Sequence, residues 1–114
     1  MDQQSLILNG GPLIGPDVVS VARKGLTVSI GEEAIKRMSS SRSTVEKVAA
    51  STNPTYGINT GFGALSTTSI SKDELDQLQM NLLRSHAAGV GDPLPQDVVR
   101  GMMVILAGSL CRGF

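Results

Sequence analysis

Two rhythms of apolar and polar residues run along this chain. Leu6, Ile7 and Leu8 form a short apolar run that stops at the turn signal Asn9-Gly10-Gly11-Pro12, which predicts a strand near 5–8. GPDVVSVARKG (15–25) then takes helical spacing. Pro16 suits the first turn, Arg23 and Lys24 suit the last, and Gly25 suits the exit, so a helix is expected over 16–24. LTVSI (26–30) alternates with a period of two and reads as a strand that could pair with 5–8. Two such short strands are marginal without further packing.

Helical spacing returns in 32–50, with Ala34, Ile35, Met38, Val45, Val48 and Ala49 on one side and Glu32 and Glu33 at the positive end of the helix dipole. After the turn STNPT (51–55) and a glycine-rich loop, Ser71-Lys72-Asp73-Glu74 reads as a capping box flanked by Ile70 and Leu75. It opens a helix expected over 72–88, with Leu75, Leu78, Leu82 and His86 on one face, ended by Gly89 and Pro93. Pro95 opens a last helix, expected over 95–111. Val98, Val99, Met102, Met103, Leu106 and Leu110 recur helically there, and Val104 and Ile105 widen the stripe until it is apolar nearly all round. The fold class is therefore mainly α with two short β-strands near the N-terminus. The 1–114 chain reads as a single partial domain, because so apolar a helix expects more protein around it than these residues supply.

Composition narrows the function classes. With 10 Lys+Arg against 10 Asp+Glu, the formal net charge is zero, which gives no case for nucleic acid or an anionic membrane surface. The uncharged stretch 101–111 is too short to cross a bilayer, and the start MDQQSLILNGG lacks the basic-then-apolar form of a secretion signal. The single cysteine, Cys111, cannot form an internal disulfide, so a reducing, cytoplasmic setting is the default. The chain has two Phe, one Tyr and no Trp, which leaves core building to aliphatic side chains.

Against that sparse background YGINTGFGALS (56–66) stands out. Ser66 holds the place of the third glycine of a dinucleotide loop, and Ala64-Leu65 follow Gly63 where a phosphate loop needs Lys-Ser/Thr. One His and one Cys, far apart in sequence, give no metal site. Ser85 and His86 are neighbours on a helix and are expected to point about 100° apart, too far to pair as nucleophile and base. On physics alone the loop is an ordered connection and Tyr56 a half-buried tyrosine.

The residues Tyr56-Gly57-Ile58-Asn59-Thr60-Gly61-Phe62-Gly63 nevertheless resemble the Y-G-x-N-T-G-F-G signature of the aromatic amino-acid ammonia-lyases and aminomutases. Leu78-Gln79, Asn81-Leu82, Ser85-His86-Ala87-Ala88-Gly89-Val90-Gly91, Arg100, Ser109-Leu110 and Arg112-Gly113-Phe114 are similar in order to further segments of histidine ammonia-lyases. One departure is local: Ala107-Gly108-Ser109-Leu110 stands where those enzymes often carry Lys/Arg-x-Asn-Ser-Leu. The resemblance implies the N-terminal portion of a helical lyase fold, not a complete one. The family's enzymes are several times longer and are homotetramers whose active sites combine residues from three subunits.

What the resemblance implies for chemistry is an elimination of ammonia from an α-amino acid, L-histidine in this case, giving trans-urocanate. Tyr56 matches the base that takes the β-proton. A free phenol has a pKa of about 10, so its surroundings would have to favour the anion. His86 and Ser85 match the substrate-binding dipeptide, with Gly63 and Asn59 as further substrate-binding positions. Gly63 is the expected point of close backbone approach, and the glycines are expected to turn N–H groups toward the ligand. The family's electrophile, a methylidene-imidazolone (MIO) group, forms from an Ala-Ser-Gly tripeptide that this sequence does not contain, so the chain alone is expected to be inactive. The competing reading is a non-enzymatic relative that acts only by self-association or in assembly with fuller subunits.

Overall fold

The computed structural model describes residues 5–114; residues 1–4, part of the start read above for a secretion signal, lie outside them. The described residues group into two compact units, 5–41 with 92–114 and 42–91.

In the first unit, strand β1 (Ser5–Leu8) pairs with β2 (Thr27–Ile30) in parallel, Ser5 opposite Thr27 and Leu8 opposite Ile30. Parallel neighbours need a crossover, and helix α1 (Gly15–Lys24) provides it. Its ends follow the residue chemistry: Pro16 lies in the first turn, Arg23 and Lys24 in the last, and Gly25 closes the helix at φ 70°. The pair is stabilised by burial rather than by its own ladder, because Leu8 packs in a core with Val21, Ala34, Val104 and Cys111. Helix α2 (Glu32–Ala49) enters this core through Ala34 and Met38. Ile35, expected on the same face, is exposed, since it sits one helical step round from the buried Ala34.

Helix α4 (Gln96–Leu110) packs along α1. Only one stripe of it is buried, through Gly101, Val104 and Gly108, while Met102, Met103, Ile105, Leu106 and Leu110 stay exposed. Gly108 lies under Leu13, whose Cδ1 is 2.7 Å from where a Cβ would stand. Gly113 meets the α2 backbone still more tightly, with the Arg37 carbonyl carbon 2.6 Å from that point. No helix among the described residues is long and apolar enough to cross a membrane.

The second unit holds the C-terminal part of α2, the glycine loop and helix α3 (Leu75–His86). The expected helix start at 72 is a single 3₁₀ turn, Lys72–Glu74, and the capping box does not close. The Glu74 amide, which the Ser71 hydroxyl was expected to bond, is taken by the Ser71 carbonyl at 3.0 Å. The hydroxyl turns instead to the Glu74 carboxylate. At the other end the helix stops at His86 rather than 88, because Ala87 leaves helical geometry at ψ 50°. Leu75 is buried, and Leu78 and Leu82 are half-buried on the expected face, but His86 is exposed.

Candidate functional site

The loop that carries Tyr56 is folded on itself. Residues 59–61 run antiparallel to 68–70: the Gly61 amide donates to Thr68 O at 3.0 Å and the Ile70 amide to Asn59 O at 3.0 Å. The Ile58 and Asn59 amides both donate to Thr55 O, at 3.1 and 3.2 Å. These amides are therefore spent inside the loop. The expectation that the glycine segment turns its N–H groups toward a ligand is not met at positions 58, 59 and 61.

The glycines divide their tasks differently from the sequence reading. Gly61 is the close-packed one: a Cβ there would meet Leu65 Cβ at 2.6 Å and Leu65 O at 2.8 Å. Gly63 has open space beside it and a φ of +56°, which starts the short 3₁₀ turn Gly63–Leu65. Gly61 is thus packed against the chain's own backbone, while the space beside Gly63 is open.

An open concavity of about 580 Å³ is lined by Pro54, Tyr56, Gly63, Ser66 and Thr67. Tyr56 is 64% exposed, not half-buried as expected. Its ring meets the Phe62 ring edge-on, centroids 6.0 Å apart and planes at 73°. Two expected site residues, Tyr56 and Gly63, are thus brought together. Pro54, Ser66 and Thr67 were not picked out in the sequence; hydroxyls in a Ser/Thr-rich segment carry no periodic signal.

Asn59, grouped with the substrate-binding positions, is 3% exposed and its amide is turned onto main chain. Oδ1 accepts the Thr55 N–H at 2.7 Å, and Nδ2 lies 3.0, 3.3 and 3.4 Å from the carbonyls of Asn53, Ser51 and Val48.

Ser85 and His86 do not line the concavity; they sit on the last turn of α3. Contrary to the expected divergence, Ser85 Oγ lies 3.1 Å from His86 Nδ1. The contact is not a nucleophile–base pair. Both groups converge on one carbonyl, Leu82 O, at 2.8 Å from Oγ and 2.9 Å from Nδ1. A carbonyl only accepts, so the contact with Leu82 O suits the tautomer with hydrogen on Nδ1, in which Nε2 is an acceptor.

The sequence of this loop and helix is shared with known enzymes. The aromatic amino acid lyase family profile matches residues 14–114. The chain belongs to the aromatic amino acid lyase family. It is 44% identical over 114 residues to histidine ammonia-lyase of Treponema denticola, covering all of this chain and 22% of that enzyme. Among solved lyase-family folds it superposes on ergothionase of Treponema denticola, in complex with desmethyl-ergothioneine sulfonic acid, with a TM-score of 0.91 and 33% identity. On tyrosine aminomutase of Streptomyces globisporus the TM-score is 0.89 at 32% identity. These matches cover 96% of this chain and 22% and 21% of the solved ones. The chain thus spans about a fifth of the relatives' length and holds a mainly α portion of the lyase fold with two short strands.

The 114 residues contain no Ala-Ser-Gly run. Ala107, Gly108 and Ser109 stand in another order inside regular helix α4, with Gly108 packed under Leu13.

Proposed function

We propose that this segment supplies the proton-abstracting loop and part of the substrate pocket of an ammonia-lyase acting on L-histidine to give trans-urocanate. The observation that carries the reading is the exposed Tyr56 hydroxyl-bearing ring over an open concavity, within a chain 44% identical to a histidine ammonia-lyase. Tyr56 takes the β-proton, as a base on a held loop beside open space can. Gly63 leaves that space clear, since any side chain there would project into it.

In this reading His86, which lies outside the concavity beside Tyr56 within this chain, is the substrate-selecting group. With Nδ1–H held by Leu82 O, its Nε2 accepts a hydrogen bond, which suits the N–H of a substrate imidazole. An unpaired imidazole N–H in a closed pocket costs about 1–3 kcal/mol. A phenyl ring has no such group to satisfy and no use for the acceptor.

A second reading is favoured by the exposed apolar residues of α4, Met102, Met103, Ile105, Leu106 and Leu110. In it the chain associates with itself or with fuller subunits and has no turnover of its own. The two readings part in one experiment. The segment is grafted into Treponema denticola histidine ammonia-lyase in place of the matching part, and urocanate formation is followed. Turnover of L-histidine by the chimaera, with the isolated chain inactive, supports the first reading. A folded, inactive chimaera rejects it.

A further inference from the structure

Tyr56 is 64% exposed, and its aromatic neighbour among the described residues is Phe62, met edge-on. Side-chain packing therefore does little to aim it, and its direction follows from the backbone beneath. That backbone is held by Asn59. The bonds are reciprocal: the Thr55 N–H donates to Asn59 Oδ1 at 2.7 Å, and the Asn59 N–H donates to Thr55 O at 3.2 Å. Tyr56 lies inside the bracket so formed. From the other side of the amide, Nδ2 reaches Asn53 O, with Ser51 O and Val48 O sharing its second hydrogen at longer range. One buried side chain thus joins the end of α2, the 51–53 turn and the residue before Tyr56, while the main-chain carbonyl of the same residue accepts the Ile70 amide.

We propose that Asn59 is the positioning residue for Tyr56, and that it acts by clamping main chain rather than by touching substrate. No other side chain of this size does both halves: aspartate keeps the acceptor but turns a carboxylate on three carbonyls, and leucine offers neither. The catalytic meaning rests on the reading of Tyr56 as base; the clamp does not, and the test separates the two.

The chain carries one Tyr and no Trp, so near-ultraviolet circular dichroism and tyrosine fluorescence anisotropy report on Tyr56. The whole chain is compared with Asn59→Ala and Asn59→Asp. Expected are loss of the Tyr56 near-ultraviolet signal, a fall in anisotropy, and Thr55 amide exchange faster by about tenfold or more, with far-ultraviolet helix signal kept. Either variant folding with the Tyr56 signal unchanged overturns the proposal. Should both variants unfold, the unsubstituted chain decides: a protected Thr55 amide supports the clamp, and one exchanging at the free rate overturns it. In the chimaera, Asn59→Ala lowers kcat more than it raises KM, and costs nothing further once Tyr56 is replaced by Phe. If Tyr56→Phe is itself harmless there, the base assignment fails and the clamp stands on the spectroscopy.

Discussion

Ser85 Oγ and His86 Nδ1 lie 3.1 Å apart because both bond the same carbonyl, that of Leu82. This shared acceptor favours the tautomer with hydrogen on Nδ1 and leaves Nε2 as the acceptor. It gives adjacent residues on one helix a common task without making either a nucleophile.

The first consequence is a ranking. In the chimaera, His86→Leu removes the Nε2 acceptor and shifts the kcat/KM ratio of histidine over phenylalanine down by about tenfold or more, the range that one unpaired polar group represents. Ser85→Ala leaves the Nδ1–H bond to Leu82 O in place and changes the ratio less. Steady-state kinetics on both amino acids check it. An unchanged ratio in His86→Leu removes His86 from the pocket.

The two loop glycines separate in the same way. Gly61→Ala forces Leu65 backbone to move, since its oxygen lies 2.8 Å from the new Cβ. Gly63→Ala meets nothing within 4 Å and costs only its left-handed backbone, about 1–2 kcal/mol. Denaturant unfolding is expected to find Gly61→Ala the more destabilised. The chimaera is expected to find Gly63→Ala the more damaging to KM, because its methyl enters the concavity.

Asp97 offers a test of the first unit that needs no activity. Its carboxyl is held below the ordinary value of 3.8, chiefly by the hydrogen bond from Arg23, against some desolvation and with help from the Val98 amide. The Arg23 Nε–Asp97 Oδ2 distance is 3.0 Å, and the pair ties α1 to α4. A carboxylate whose folded value is depressed stabilises the fold above its unfolded value, and loses that contribution as pH falls through the folded one. Asp97→Asn is therefore expected to lower Tm slightly at neutral pH. The gap should close as pH drops well below 3.8, and a gap that widens in acid contradicts the assignment.

Much of this architecture was legible in the residues. Pro16, Gly25, Pro95 and the apolar spacings mark the helices because end chemistry and periodicity are local. The direction of β1 against β2 was not legible, since alternation assigns faces and not neighbours. The 3₁₀ turn at Lys72–Glu74 escaped because a capping box and a serine–glutamate side-chain bond share one sequence. Tyr56 and Gly63 could be picked out by motif, whereas the clamp at Asn59 could not, because its partners are backbone atoms that any residue carries. The Ser85–His86 contact was missed for a related reason: the angle between neighbouring Cβ atoms does not limit where two side chains can reach.

Most direct is the turnover number of Tyr56→Phe in the chimaera on L-histidine, read as urocanate absorbance with substrate in excess. The substitution keeps the ring and its edge contact with Phe62 and removes only the hydroxyl. Loss of a general base is expected to cut kcat by about 10²–10⁴-fold, with the far-ultraviolet spectrum unchanged. A kcat within a few-fold of the parent chimaera contradicts Tyr56 as the base, and with it the role proposed for this loop.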